Sequence, residues 1–252
     1  MVIPSVLPER PPAGTLFQTG WPVRLADIDR EHRLRLDAIA RYLQDIAFEH
    51  LEAVEDGDTH RGWVVRRTVI DVLEPVVWGE RVTLHRWCSA LSNRWCTMRV
   101  QILGSEGGHI ETEAFVIHFG IESGVPTRMS DRFMAPMLAG TSEHRLRWRA
   151  ALTESMPDAA SADVEVLPFP LRVADIDVLD HVNNAVYLGA LEELLAGHAD
   201  LLAAPYRVII EYAKPLESGE QVRVVGRRAG DTLDAWLAVG DEARAVARIT
   251  PL

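Results

Sequence analysis

The chain has 252 residues, enough for one large domain or two small ones with a real core, and its 48% hydrophobic and 25% charged residues are ordinary for a soluble globular protein. A net charge of −11 argues against nucleic acid as a partner, because phosphates attract cationic faces. Arginine supplies the positive charge almost alone, with Lys214 as the single lysine.

Cys88 and Cys96 are the only cysteines, which predicts a reducing compartment and no disulfide framework. No CxxC pair or His/Cys cluster has metal-ligand spacing, so no metal site is expected. The start, MVIPSVLPERPPAG, lacks an apolar segment behind a basic one, which predicts no signal peptide. No apolar run approaches the roughly 20 residues that span a bilayer. The expected location is cytoplasmic.

In chain order, the string Arg24-Leu-Ala-Asp27-Ile-Asp29 comes first. Ile39, Leu43, Ile46, Ala47 and Leu51 then recur at three- and four-residue spacing, which predicts one apolar helix face. After a polar, turn-like stretch from Ala53 to Gly62 come Arg67-Thr-Val-Ile-Asp71, Pro75 and a turn at Gly79-Glu80. Strands are predicted at 80–87 and 112–119, and through Cys96, Met98, Val100 and Ile102, which alternate with polar residues. Residues 121–168 carry Pro126, Pro136, Pro157 and Pro168 with weak periodicity, and read as a connection with a short helix near 128–138.

The same order then recurs. Arg172-Val-Ala-Asp175-Ile-Asp177 repeats the first string at an offset of 148, with five of six positions identical. A second helix is predicted through Val186, Leu191, Leu194 and Leu195, with Asn183 or Asn184 as its cap. Arg207-Val-Ile-Ile-Glu211, Pro215 and Gly219-Glu220 repeat the second block at an offset of 140, and strands follow at 221–225, 234–239 and 243–249. Two ordered matches with a loop-sized slip between them indicate duplication. A helix followed by a run of strands, twice, predicts an α+β protein with antiparallel sheet.

Asp175, Asp177, Asp180, His181, Asn183 and Asn184 form a dense polar cluster just before the second helix. By composition alone it reads as a capped loop with His181 solvated, since turns and caps recruit these residues. The string DxDxxxHVNNxxY, ending at Tyr187, resembles the signature of the plant-type acyl-ACP thioesterases and their bacterial relatives. That family has a double hotdog fold, so the resemblance implies two tandem units, each a long helix wrapped by antiparallel sheet, joined edge to edge. It implies an N-terminal unit at 15–120, a linker at 121–168 and a catalytic C-terminal unit at 169–252.

The resemblance also implies catalytic roles for Asp177, His181 and Glu211; Asn183, Asn184 or backbone groups are expected to bind substrate in place of an amide that the family has and this chain lacks. The family asparagine two residues before the histidine is Leu179 here, and the position of the family cysteine is Tyr212. A carboxylate can attack a thioester or activate water, a histidine can relay a proton, and helix-start N–H groups around Asn184 and Ala185 suit an oxyanion. The first copy keeps Asp27 and Asp29, but Arg33 stands for His181, Arg35 and Leu36 for the asparagines, and Asp71 for Glu211. That copy is therefore expected to shape the acyl pocket, through Ile39, Leu43, Ile46 and Ala47. His32 reads as a surface residue, and His50 as facing solvent or a satisfied core niche. Trp63, Trp78, Trp87, Trp95 and Trp236 read as strand packing.

The implied reaction is hydrolysis of fatty acyl thioesters on acyl carrier protein, with no cofactor. The alternatives are an acyl-CoA thioesterase, a hotdog dehydratase and a non-catalytic acyl-binding protein. Pairing of two chains as a homodimer is left open.

Overall fold

The computed structural model describes Leu7, residues 16–141 and residues 144–252. The N-terminal stretch read as lacking a leader, and the boundary at residue 15, lie outside the described residues apart from Leu7.

The first unit runs β1 (Phe17–Pro22), α1 (Leu36–Ala53), β2 (Trp63–Glu74), β3 (Arg81–Leu91), β4 (Trp95–Gly104) and β5 (His109–His118). A short helix, α2 (Asp131–Gly140), follows and is capped by Ser130, whose hydroxyl accepts from the Phe133 N–H. The second unit repeats the order as β6 (Val164–Phe169), α3 (Asn184–Leu195), β7 (Tyr206–Tyr212), β8 (Val222–Ala229), β9 (Thr232–Val239) and β10 (Glu242–Pro251). It therefore begins at Val164, inside the stretch read as linker. β6 was not legible because it is a half-exposed edge strand containing Pro168, where apolar alternation is weak. Gly79 and Gly219 take φ of +98° and +82°, which makes the two matching turns favourable only for glycine.

All ten strands form one antiparallel sheet in the order β1-β3-β4-β5-β2-β7-β10-β9-β8-β6. The order is a palindrome of the duplication, centred on β2 and β7. Across that joint Arg67 stands opposite Glu211, and Asp71 opposite Arg207. Arg67 Nε donates to Glu211 Oε1 at 2.6 Å, and Arg207 Nε donates to Asp71 Oδ1 at 2.6 Å. The matching strings of the two halves are thus each other's partners.

Both long helices lie on one face of the sheet and pack side by side. Ala38, Ile39, Tyr42 and Ile46 of α1 share a core with Leu188, Leu191, Leu194 and Leu195 of α3 and with Ile70, Val208 and Ile210 of the central strands. Burying each large aliphatic side chain contributes about 1.5–3 kcal/mol, so this stripe anchors the helices. Gly226 on β8 lets α3 approach: a Cβ there would meet Leu194 Cδ2 at 2.7 Å.

In the connection between units α2 stays on the cavity side beside Cys88 and Met98, whereas residues 146–154 lie on the opposite face of the sheet. Trp95 and Trp236, on the equivalent strands β4 and β9, donate from their indoles to the carbonyls of Leu146 and Glu154. Arg67 Nη2 donates to the Arg149 carbonyl, and Trp148 lies against both the Arg67 guanidinium and the Phe115 ring. The segment from Leu146 to Glu154 is a strap over the central joint.

Candidate active site

A cavity of about 700 Å³ opens on the helix side, between the units. Its apolar wall comes mainly from the first unit, including Leu43, Ala47 and Leu51 of α1 and Met98, Val100 and Val116 of the sheet. Its polar residues come from both units: the second supplies Asp177, His181, Asn183 and Asn184, with Tyr187 and Tyr212, and the first supplies Gln44, His50 and Arg86 among others. Of the four pocket residues expected on α1, Leu43 and Ala47 face the cavity. Ile39 and Ile46 do not; each is fully buried in the core between helix and sheet. One helix serves both faces, and the spacing of apolar residues cannot separate them.

The loop before α3 is fixed by its own hydrogen bonds. The Asp177 N–H donates to the His181 carbonyl at 2.8 Å, and Asp177 Oδ1 accepts from the Leu179 N–H at 2.8 Å and the His181 N–H at 3.4 Å. Asp180 completes the turn at φ +61°, as His32 does in the first unit at φ +65°. Val182 N–H donates to the Leu216 carbonyl, and the Leu216 N–H to the Tyr187 hydroxyl at 2.7 Å, which ties the loop to the segment that follows β7. Burial pushes the Tyr187 phenol up to about 12, so it stays protonated. Asp177 is half-buried and His181 is exposed.

Glu211 does not join this group. Side chains alternate across a strand, and on β7 it is Tyr212 that faces the cavity. Glu211 lies on the strap side, where its carboxylate accepts from Arg67 and from the N–H groups of Ala151 and Leu152 at 2.9 and 3.2 Å. It is a buried structural acid, 6% exposed.

The N-terminus of α3 is the electropositive end of the site, with no acidic residue in its first turn. Asn183 Oδ1 takes the Ala185 N–H at 2.9 Å and the Asn183 carbonyl takes that of Val186. Among the described residues nothing accepts from the Asn184 N–H. Gln44, on α1, holds the cap from across the interface: its Nε2 donates to Asn183 Oδ1 at 2.9 Å and its Oε1 accepts from Asn183 Nδ2 at 3.2 Å. Gln44 escaped the sequence reading because a lone amide on a helix has no motif.

The first unit shows what closes such a site. Arg33 stands where His181 does, and its Nε donates to Asp29 Oδ2 at 2.9 Å. Glu192 occupies the position on α3 equivalent to Gln44, and its Oε1 accepts from the Leu36 N–H at 2.7 Å. Leu36 is the counterpart of Asn184, so the equivalent donor is filled by a carboxylate. Only about 30 Å³ of space remains there, room for about one water. Burial, with Asp37 close by, raises the Glu192 carboxyl to about 7.

Among the described residues no group of three or more His, Cys, Asp or Glu side chains is placed to hold a metal ion. Among the described residues no helix is long and apolar enough to cross a membrane.

Comparison with known proteins agrees with this geometry. Residues 14–137 match the model of the acyl-ACP thioesterase N-terminal domain, and residues 158–239 that of the C-terminal domain. An uncharacterised protein of Mycobacterium tuberculosis is 42% identical over 246 residues, covering 98% of this chain and 96% of that one. A 12:0-ACP thioesterase from Umbellularia californica superposes with a TM-score of 0.72 at 16% identity, over 94% of this chain and 97% of that one. An acyl-ACP thioesterase from Bacteroides thetaiotaomicron gives 0.72 at 13% identity, over 93% and 97%. Two domain models matched in sequence order, on a chain folded as two fused helix-and-sheet units, establish that this protein is a member of the acyl-ACP thioesterase family.

Proposed function

We propose that the chain hydrolyses fatty acyl thioesters of acyl carrier protein in a single active site, releasing the free acid and the carrier thiol. The observation that carries this reading is the contrast between the two helix N-termini. At α1 the donor is filled by Glu192, whereas at α3 no acceptor among the described residues takes the Asn184 N–H, and Asn184, Asp177 and His181 all line the large cavity.

Asp177 Oδ1 is occupied by backbone donors, which leaves Oδ2 to take a proton from water as that water attacks the acyl carbon. The oxyanion of the tetrahedral intermediate is held by the Asn184 N–H at the positive end of α3. Collapse breaks the C–S bond, and the proton held on Asp177 returns through His181 to the departing thiolate. The backbone donor takes the place of the family amide missing at Leu179, one of the replacements expected from the sequence together with Asn183 and Asn184. The acyl chain extends along Leu43 and Ala47 into the first unit.

The test is hydrolysis by the purified chain of saturated acyl thioesters of graded length, on carrier protein and on CoA in parallel. Free acid and thiol in equal amounts, with higher kcat/KM on carrier protein, is the expected result. Binding of acyl carrier without release of thiol would make the chain an acyl-binding protein instead.

A further inference from the structure

The cavity wall is not wholly apolar. Arg86, on β3, lines it together with His50 of α1, Cys88 and Cys96. Arg86 Nη1 donates to His50 Nδ1 at 2.6 Å, and the His50 ring stacks on Phe17 with centroids 4.8 Å apart. Burial and the neighbouring guanidinium hold His50 at about 3, so it is a neutral acceptor. Burial lowers Arg86 only to about 10, so it remains a cation at neutral pH.

Among the described residues no carboxylate stands within ion-pair distance of Arg86. The buried arginines are provided for, unlike this half-buried one: Arg67 has Glu211, Arg99 has Glu111 and Arg207 has Asp71. A guanidinium carries five donors in a planar fork shaped for two carboxylate oxygens, and out of water it needs acceptors. Here one neutral imidazole meets it, and the rest of its surface faces the cavity.

We infer that the cavity takes an acyl chain bearing a second carboxylate at its far end, and that Arg86 binds that carboxylate. This rests on reading the cavity as the acyl site. Gln44, which touches Asn183, and His50 are six residues apart on α1, about 9 Å along its axis at ~1.5 Å per residue. An extended chain advances about 1.2 Å per bond, taking ~3.5 Å per three-bond residue, so the matching length is on the order of eight to ten carbons. The substrate class is the mono-thioester of a medium-chain dicarboxylic acid, and Arg86 is the specificity-determining residue.

The test compares three ten-carbon acyl groups on carrier protein: decanoyl, ω-hydroxydecanoyl and the mono-thioester of decanedioic acid. The full chain is expected to hydrolyse the dicarboxylic substrate with kcat/KM at least about tenfold above decanoyl, and ω-hydroxydecanoyl in between. Arg86→Met should lower the dicarboxylic rate by about 10²-fold, raise the decanoyl rate several-fold and so invert the preference. Arg86→Gln, which keeps a polar head, guards against a packing artefact and should also abolish the preference while melting like the parent. A parent that favours decanoyl or ω-hydroxydecanoyl, or a ratio untouched in both variants, would overturn the inference. Equilibrium binding of decanedioate and decanoate decides the matter apart from turnover. Tighter decanedioate binding that Arg86→Met removes supports it even in a chain that hydrolyses nothing, and equal binding of the two acids sinks it.

Discussion

Gln44 and Glu192 occupy the same position in the two repeats, and each reaches the N-terminus of the other unit's helix with opposite effect. Glu192 takes the Leu36 N–H for itself, whereas Gln44 grips the Asn183 side chain and leaves the Asn184 N–H without an acceptor among the described residues. One carboxylate against one amide separates a filled helix end from an open one. Gln44→Glu should therefore lower kcat by about 10²-fold, the size of losing one oxyanion donor, while Gln44→Ala does less damage. Equal kcat in parent and Gln44→Glu would show that the Asn184 N–H is not used.

Asp177→Asn and His181→Ala should each lower kcat by about 10²–10⁴-fold, as for positioned acid–base groups. Asp29→Asn should keep most of kcat and lower the melting temperature, because Asp29 holds the Arg33 backbone and guanidinium rather than substrate. Comparable losses of turnover at Asp29 and Asp177 would contradict a single active site.

Glu211→Gln separates structure from chemistry. Removing one charge from a buried pair should destabilise the fold by on the order of 3 kcal/mol, read by denaturant titration, with kcat preserved in the folded fraction. A large fall in kcat at unchanged stability would return Glu211 to the reaction.

Glu192 gives the fold a pH dependence of definite sign. Its carboxyl is raised to about 7, above its unfolded value, so the folded state binds the proton more tightly. The associated stability is fully present below about 4.5 and is lost as the pH rises through 7. Unfolding free energies measured between pH 5 and pH 8 should fall across that window in the parent, and Glu192→Gln should flatten this component. Parallel curves for the two proteins would refute it.

Ala47→Phe should shift the preferred acyl chain to shorter lengths and Leu43→Ala to longer ones, each with little loss on its best substrate. Each methylene admitted or refused is worth about 0.8 kcal/mol, enough to move a chain-length profile visibly. Uniform scaling across all lengths would make both residues packing only.

The duplication was legible in its matching strings, one pair of which, at 67–71 and 207–211, meets at the joint, whereas the edge strand β6 was not. The loop from Asp177 to Asn184 was legible as chemistry only through its resemblance to a known signature, since Asp and Asn in a turn have a simpler use. Glu211 was misplaced for a specific reason. On a strand one position is the difference between the two faces, and the duplicated ion pair that keeps Glu211 under the strap becomes visible only once β2 and β7 are set side by side. Gln44 and Arg86 were beyond reach for another reason: each acquires meaning from a partner far along the chain.

The strap from Leu146 to Glu154 has a genetic consequence. Were the halves two copies of one short polypeptide, a single codon would set both Gln44 and Glu192, and an improvement in one crevice would be forced on its twin. Joined in one reading frame, the two positions mutate separately. Each position can thereby change without its twin, and the wall supplied by Leu43 and Ala47 can be recut without touching Asp177 or His181.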